Sequence, residues 1–428
     1  MSKYCVALFL FCLLTCGCSR KPVSDITLTM MGFSLDSASQ LRRDGLDSFT
    51  QATGIHVDPI PTLGSSADQL AQTRRLLKEH AASPDVYLID VIFPGAMADD
   101  LLDLTPYRDA NSYSHVAELL HNDTVEGRLV SLPFYVNVGT LYYRTDLLKK
   151  YGYKHPPNTW RELYSMAALI QRGERDAGNK AFWGYVWQGA QYEGLTCNAL
   201  EWQVSFGGGH IIEPDGTITV HNRHAVEALE AAEQWPGTIS PPTVLSYTES
   251  DSLNVFSSGN AAFLRHWSGG FPARRARGTA VAGRYSMAPL PAGPRRCAQA
   301  MGGFQLAVSR YSTHPREAAR LVLYLTGRQV QLRRALSGGY LPTIPDLYRS
   351  PALQGAIPFL ETLQKAGVSR WVARPSTVTG SKYREVSLAY AAAVHAVLSD
   401  KADANSALAA LEKHLVELTG FRTAPPPR

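Results

Sequence analysis

Cysteine is scarce in the body of this 428-residue chain: Cys5, Cys12, Cys16 and Cys18 crowd into the first residues, and only Cys197 and Cys297 lie beyond them. Two distant cysteines exclude a disulfide-stapled scaffold. Pairing between them is allowed but not indicated, and the apolar surroundings of Cys197 read as a buried free thiol. Long apolar runs are missing too. The stretch Val6 to Leu14 is too short to cross a bilayer as a folded helix, and no later run is long and apolar enough. Strong charge is also absent. A net charge of +5 is mild for this length, and the basic groups Arg274, Arg275, Arg277 and Arg295, Arg296 have few aromatics between them, which suits a solvated loop better than a nucleic-acid surface.

Catalytic signatures are equally thin. His266-Trp267-Ser268-Gly269-Gly270 lacks the first glycine and the following helix of a nucleophile elbow. His221, His224 and Glu227 have helical spacing for a metal but sit at a polar helix start, where solvated residues are the default. Gly207-Gly208-Gly209 lacks the strand before and the helix after that a phosphate cradle requires, and reads as a turn. Asp90 and Glu193 could serve a glycosidase as acid and base, at a separation that sequence does not fix.

What is present is alternation. The length suggests about two or three domains. Residues 1–17, with Lys3, an apolar run and small residues before Cys18, have the layout of a secretory signal. Ile26 to Met31 then reads as a strand, a helical pattern ends at Gly54, Ile55 to Ile60 gives a second strand, Ser66 and Gln69 signal a helix start, and Asp85 to Asp90 reads as a third, buried strand. Strand, helix, strand, helix, strand predicts a doubly wound parallel sheet, with ligands gathering at the carboxyl ends of strands near Gly32, Phe33 and Asp90.

The organising stretch is Leu132 to Leu148, LPFYVNVGTLYYRTDLL, an apolar strand interrupted by Gly139 that runs from one α/β unit into another, with Thr145 or Asp146 as cap of the next helix. Asn137 lies mid-strand on the same face as Tyr135, where its amide needs partners from a ligand or, as an isolated buried Asn more commonly finds, from neighbouring backbone. Thr159 and Glu162 form a capping box. The stretch Phe182 to Asn198 concentrates Trp183, Tyr185, Trp187, Gln188, Tyr192 and Glu193, aromatic faces beside hydrogen-bonding groups that suit sugars, although period-two spacing makes at least one of the three strand aromatics plain core. Ile211 to Val220 reads as a hairpin and Asp251 to Ser258 as a helix leading into the strand Ala261 to Trp267; Gly302-Gly303-Phe304 opens a strand to Val308, three helices follow Pro351, and residues 421–428 form a tail.

Several of these segments together resemble the extracellular solute-binding proteins, family 1, of carbohydrate ABC transporters, and within them the trehalose/maltose-binding branch: DVYLIDV from Asp85, LPFYVNVGTLYYRTDLLKKYGY from Leu132, FWGYVWQGAQYEGL from Phe182, GNAAFLRHW from Gly259, MAPLP from Met287, GGFQLAVSRYS from Gly302 and ARP from Ala373. The leader's end, Thr15-Cys16-Gly17-Cys18, resembles a bacterial lipoprotein signal with Cys18 as the lipidated residue and Thr15 where Leu is usual. The resemblance implies a type II two-lobe periplasmic-binding-protein fold with a hinge of crossing strands. Residues 24–137 plus 303–345 would make one lobe and 138–302 plus 346–420 the other. It implies a periplasmic or cell-surface, lipid-anchored monomer that closes on a disaccharide, trehalose or maltose-like, and delivers it to permease and ATPase subunits, with no cofactor, metal or chemistry of its own. Residue by residue it points to Asp90, Tyr135, Asn137, Trp267, Gly302, Gly303, Phe304 and Arg374 as ligand contacts, to which the aromatic stretch adds Gln188, Tyr192 and Glu193. Asn137 stands where the branch has an acid, Asp36 is only near the position of another acid, and the arginine expected in the second helix falls at Gln69 or Leu70. A secreted glycan hydrolase using Asp90 and Glu193, and a sugar-sensing module, are the competing readings.

Overall fold

The computed structural model describes residues 25–33, 39–62, 66–109, 115–269, 276–357, 360 and 370–426. Cys18, the leader and Asp36 lie outside them.

Eleven strands are formed among the described residues: β1 Thr27–Phe33, β2 His56–Pro61, β3 Val86–Asp90, β4 Thr124–Val125, β5 Arg128–Leu129, β6 Leu132–Arg144, β7 Trp183–Val186, β8 Ala261–Trp267, β9 Tyr285–Pro289, β10 Gln299–Val308 and β11 Trp371–Val372. β4 and β5 make a small hairpin; the others form one sheet in the order β2-β1-β3-β10-β6-β8-β7, with β11 beside β10 and β9 beside β6. The first three strands are parallel, as the alternating pattern predicts, and the helix Ser66–Lys78 connects β2 to β3. Beyond them the sheet is mixed rather than purely parallel: β10 runs antiparallel to both β3 and β6, because it returns from the second lobe.

β6 is the crossing element. Its residues Leu132 to Val138 pair with β10, and from Gly139 onward it lies between β8 and β9. Each half faces a separate core. Leu28, Phe49, Val86, Leu306 and Leu321 belong to the first; Leu163, Tyr185, Trp187, Trp202, Tyr390 and Leu411 belong to the second. Trp187 packs edge-to-face on Trp202 at 5.1 Å and, like Tyr185, is fully buried, so both are core, as the strand spacing anticipated of at least one of them. Leu347, Leu353, Ile357 and Leu360 pack in one cluster with Val91, Ile92, Val116, Val138 and Met301.

Local expectations hold at one helix start and differ at three places. The capping box holds at the helix Trp160–Asp176, where Thr159 accepts from the Glu162 backbone. At the helix Thr145–Lys150, however, Arg144 occupies the cap, and Asp146 is taken by a bidentate pair with Arg144 at 2.7 and 2.6 Å. The segment Ile211 to Val220 folds back with a single bridge, Ile212 to Ile218, around Asp215. The helix Glu249–Ser257 begins two residues early, since Thr248 and Asp251 form its capping box. Cys197 and Cys297 are buried free thiols.

Candidate functional site

Sheet pairing itself assembles the site. At the carboxyl end of β3, Asp90 is in register with Phe304 of β10, and on the other side of β10 Gly302 is opposite Asn137 of β6. Trp267, the last residue of β8, pairs with Gly139 of β6. A cavity of about 530 Å³ opens where these four strands meet, within the ~300–1,000 Å³ usual for small-molecule sites.

Two glycines are required by close approach. A Cβ on Gly302 would stand 2.8 Å from Cζ3 of the Trp267 indole, so the ring lies against bare backbone. Gly303 has φ +128°, in the region that side chains avoid, and a Cβ there would meet the Tyr135 carbonyl oxygen at 2.3 Å.

Charge is arranged around Arg374. Its guanidinium donates to Glu193 Oε1 at 2.6 Å and to the Met301 carbonyl at 3.1 Å, and it lies 3.8 Å from Asp90 Oδ1. Glu193 opens the helix Glu193–Phe206, where the helix dipole favours a carboxylate, and it also accepts from the Tyr383 and Ser387 hydroxyls. Asp90 keeps about a third of its side-chain exposure (32%) and accepts from the Ile92 backbone at 3.2 Å. Burial pushes its carboxyl up to about 6, against the pull of Arg374.

Trp267 is held on several sides. Its indole N–H donates to Glu249 Oε1 at 3.3 Å, Glu249 Oε2 accepts from the Tyr192 hydroxyl at 2.5 Å, and the Arg265 guanidinium lies 4.4 Å from the ring centroid. Two polar atoms in this wall have no partner among the described residues: Asn137 Oδ1 and Arg374 Nε.

Most of the residues singled out from sequence converge here: Asp90, Asn137, Tyr192, Glu193, Trp267, Gly302, Gly303, Phe304 and Arg374 all line the cavity. Tyr135 does not; its ring backs Phe304 at 5.4 Å and packs on Tyr340 at 4.8 Å. Gln188 does not either. Its amide is fully buried and consumed by Ser252, Asn198 and Arg265, so the expectation of a wall position is corrected to one in the core beneath. Sequence reasoning missed Arg74, Glu249, Tyr383 and Ser387. Arg74 lies one helical turn beyond Leu70, so the second helix does bring an arginine to the cavity. Tyr383 and Ser387 share a helix face at i, i+4, which was the one signal available.

Three carboxylates, Asp90, Glu193 and Glu249, face three guanidinium groups, Arg74, Arg374 and Arg384, around the cavity, a balance that suits an uncharged guest. Among the described residues no group of three or more His, Cys, Asp or Glu is placed to hold a metal ion, and no helix is long and apolar enough to cross a membrane.

Comparison with known proteins is consistent with this geometry. The family of bacterial extracellular solute-binding proteins matches residues 34–332. A probable ABC transporter-binding protein of Deinococcus radiodurans is 45% identical over 397 residues, covering 92% of this chain and 94% of the relative. The maltodextrin-binding protein of Bacillus subtilis is 26% identical over 257 residues, 56% of each chain. The maltose-bound T. maritima MalE3 structure superposes with a TM-score of 0.82 at 32% identity, covering 92% of this chain and all of that one. On a family match spanning most of the sequence and a relative alike over almost its whole length, the chain belongs to the bacterial extracellular solute-binding proteins of ABC transporters.

Proposed function

We propose that this protein is the disaccharide receptor of a sugar importer, with maltose or trehalose as the class of guest. The observation that carries the reading is the fixed Trp267 indole at a cavity whose charges balance and whose lining includes the polar side chains of Asp90, Asn137 and Arg374. Apolar C–H faces of a sugar ring stack on indole, while equatorial hydroxyls reach Asp90, Asn137 and Arg374. The likeness to a maltose-bound structure at 32% identity supports the same class. Ligand contacts from both lobes stabilise a closed state over an open one, the differential affinity that any such receptor needs. The lobes are residues 24–137 with 303 to about 360, and 138–302 with about 370 to 420. The receptor is monomeric, anchored by lipid at Cys18 outside the cytoplasmic membrane, and hands sugar to permease and ATPase partners. Mass spectrometry of the mature N-terminus tests the anchor.

The hydrolase reading loses support because Glu193 spends its acceptors on Arg374, Tyr383 and Ser387. Calorimetric titration with maltose, trehalose and mannitol tests the proposal. The expected result is one disaccharide bound at micromolar affinity or better and recovered unchanged; no binding by any, or cleavage of the disaccharide, would overturn it.

A further inference from the structure

Beneath the Trp267 indole lies a buried ion pair that no contact with a guest explains. Arg265 and Glu201 have no side-chain exposure at all (0% each). Arg265 Nε donates to Glu201 Oε2 at 3.0 Å and Nη2 to Oε1 at 2.6 Å, a two-pronged contact. A buried pair of this kind gives little net stability compared with apolar residues of the same size, so its presence calls for another reason.

Its surroundings supply one. Glu201 Oε1 also accepts from the Ala300 backbone N–H of β10 at 2.9 Å, and a Cβ on Gly139 of β6 would stand 1.8 Å from that same oxygen. The carboxylate is therefore seated on both crossing strands, at the residue where β6 meets Trp267. On its other side the Arg265 guanidinium faces the Trp267 ring at 4.4 Å.

We propose that Arg265 and Glu201 are positioning residues for the binding site: the pair fixes the plane of the Trp267 indole relative to the crossing strands, and so sets sugar affinity without touching sugar. The proposal rests on the disaccharide reading for its affinity arm, but its spectroscopic arm does not. Arg265 acts through the face of the ring and Glu201 through the strands, so each half can be disturbed separately. Arg265→Lys keeps the charge opposite Glu201 and removes the flat guanidinium. Glu201→Gln keeps an acceptor for Ala300 and removes the charge.

The test uses the mature full chain. Near-ultraviolet circular dichroism and acrylamide quenching isolate the Trp267 signal as the difference from Trp267→Phe, in each background and without ligand. Maltose and trehalose are then titrated calorimetrically, and thermal melts report stability. In Arg265→Lys the Trp267 dichroism should fall and its quenching rise, with binding of whichever sugar the unaltered protein takes weakened about tenfold. A merely structural pair would change the melting temperature while leaving the Trp267 signal and the affinity in place, and that outcome overturns the proposal. Should Arg265→Lys fail to fold, Glu201→Gln carries the same comparison. If the unaltered protein binds neither sugar, the disaccharide reading falls, while the Trp267 signal still decides whether the pair positions the ring.

Discussion

Glu193 and Arg374 meet at 2.6 Å, joining the start of the Glu193–Phe206 helix to a guanidinium that also holds the Met301 carbonyl of β10. Arg374 is nearly buried (4% side-chain exposure) whereas Glu193 is not (31%), so loss of the arginine strands a half-buried carboxylate. Arg374→Ala should lower stability by about 2 kcal/mol, less than the ~3–5 kcal/mol for a fully buried pair because water reaches Glu193. Denaturant melts measure this. An unchanged midpoint would show the contact to be dispensable.

Trp267→Ala removes the stacking face while the β8 backbone stays held, since the Tyr142 hydroxyl donates to the Trp267 carbonyl at 2.9 Å. Sugar affinity should fall by about 2 kcal/mol or more, in the range of buried aromatic anchors, with a far-ultraviolet dichroism spectrum like that of the parent. Equal affinities in calorimetry would remove Trp267 from the site.

Asp90 gives a pH signature. Its carboxyl is pushed by burial from 3.8 up to about 6. Between those values the native protein holds a proton that the unfolded chain has released, so this group's contribution to stability is full below about pH 4 and is lost as pH rises through 6. Asp90→Asn should therefore melt higher than the parent at pH 7.5 and equal to it near pH 4. Sugar binding should run the other way, strengthening in the parent as pH passes 6 and the carboxylate becomes a full acceptor, and staying flat in Asp90→Asn. A melting difference that does not vary with pH would refute the assignment.

The two glycines separate binding from folding. Gly303→Ala forces a Cβ against the Tyr135 carbonyl at positive φ, and should destabilise the fold by about 1–3 kcal/mol. Gly302→Ala presses instead on the indole edge and should reduce sugar affinity more than stability. Thermal melts and calorimetry on the pair test the contrast; the reverse ranking would contradict it.

The fold was readable where local chemistry agrees with tertiary structure. Period-two apolar residues and cap signals give β1 to β3 and the helix Trp160–Asp176, and the long, mainly apolar stretch of β6 gives the crossing. Asp90 was readable because strand ends in such sheets gather ligands, whereas Gly302 and Phe304 were readable only through the family resemblance. Gln188 misled because an amide at a strand end looks available until Arg265, 77 residues later, is seen to claim it. Glu249 was overlooked for the opposite reason: in the polar run Thr248 to Ser252 it looks solvated, and only the early helix start turns it toward Trp267.

β6 passes from one set of neighbours to another between Val138 and Gly139, with no loop at the exchange. Separation of the halves must therefore be absorbed as torsion across a few continuous peptide units, which behave as a stiff spring and not as a free joint. The residence time of the cargo then depends on the elasticity of this ribbon as well as on grip, and substitutions around residue 139 can alter how fast sugar is surrendered while leaving every atom that touches it in place.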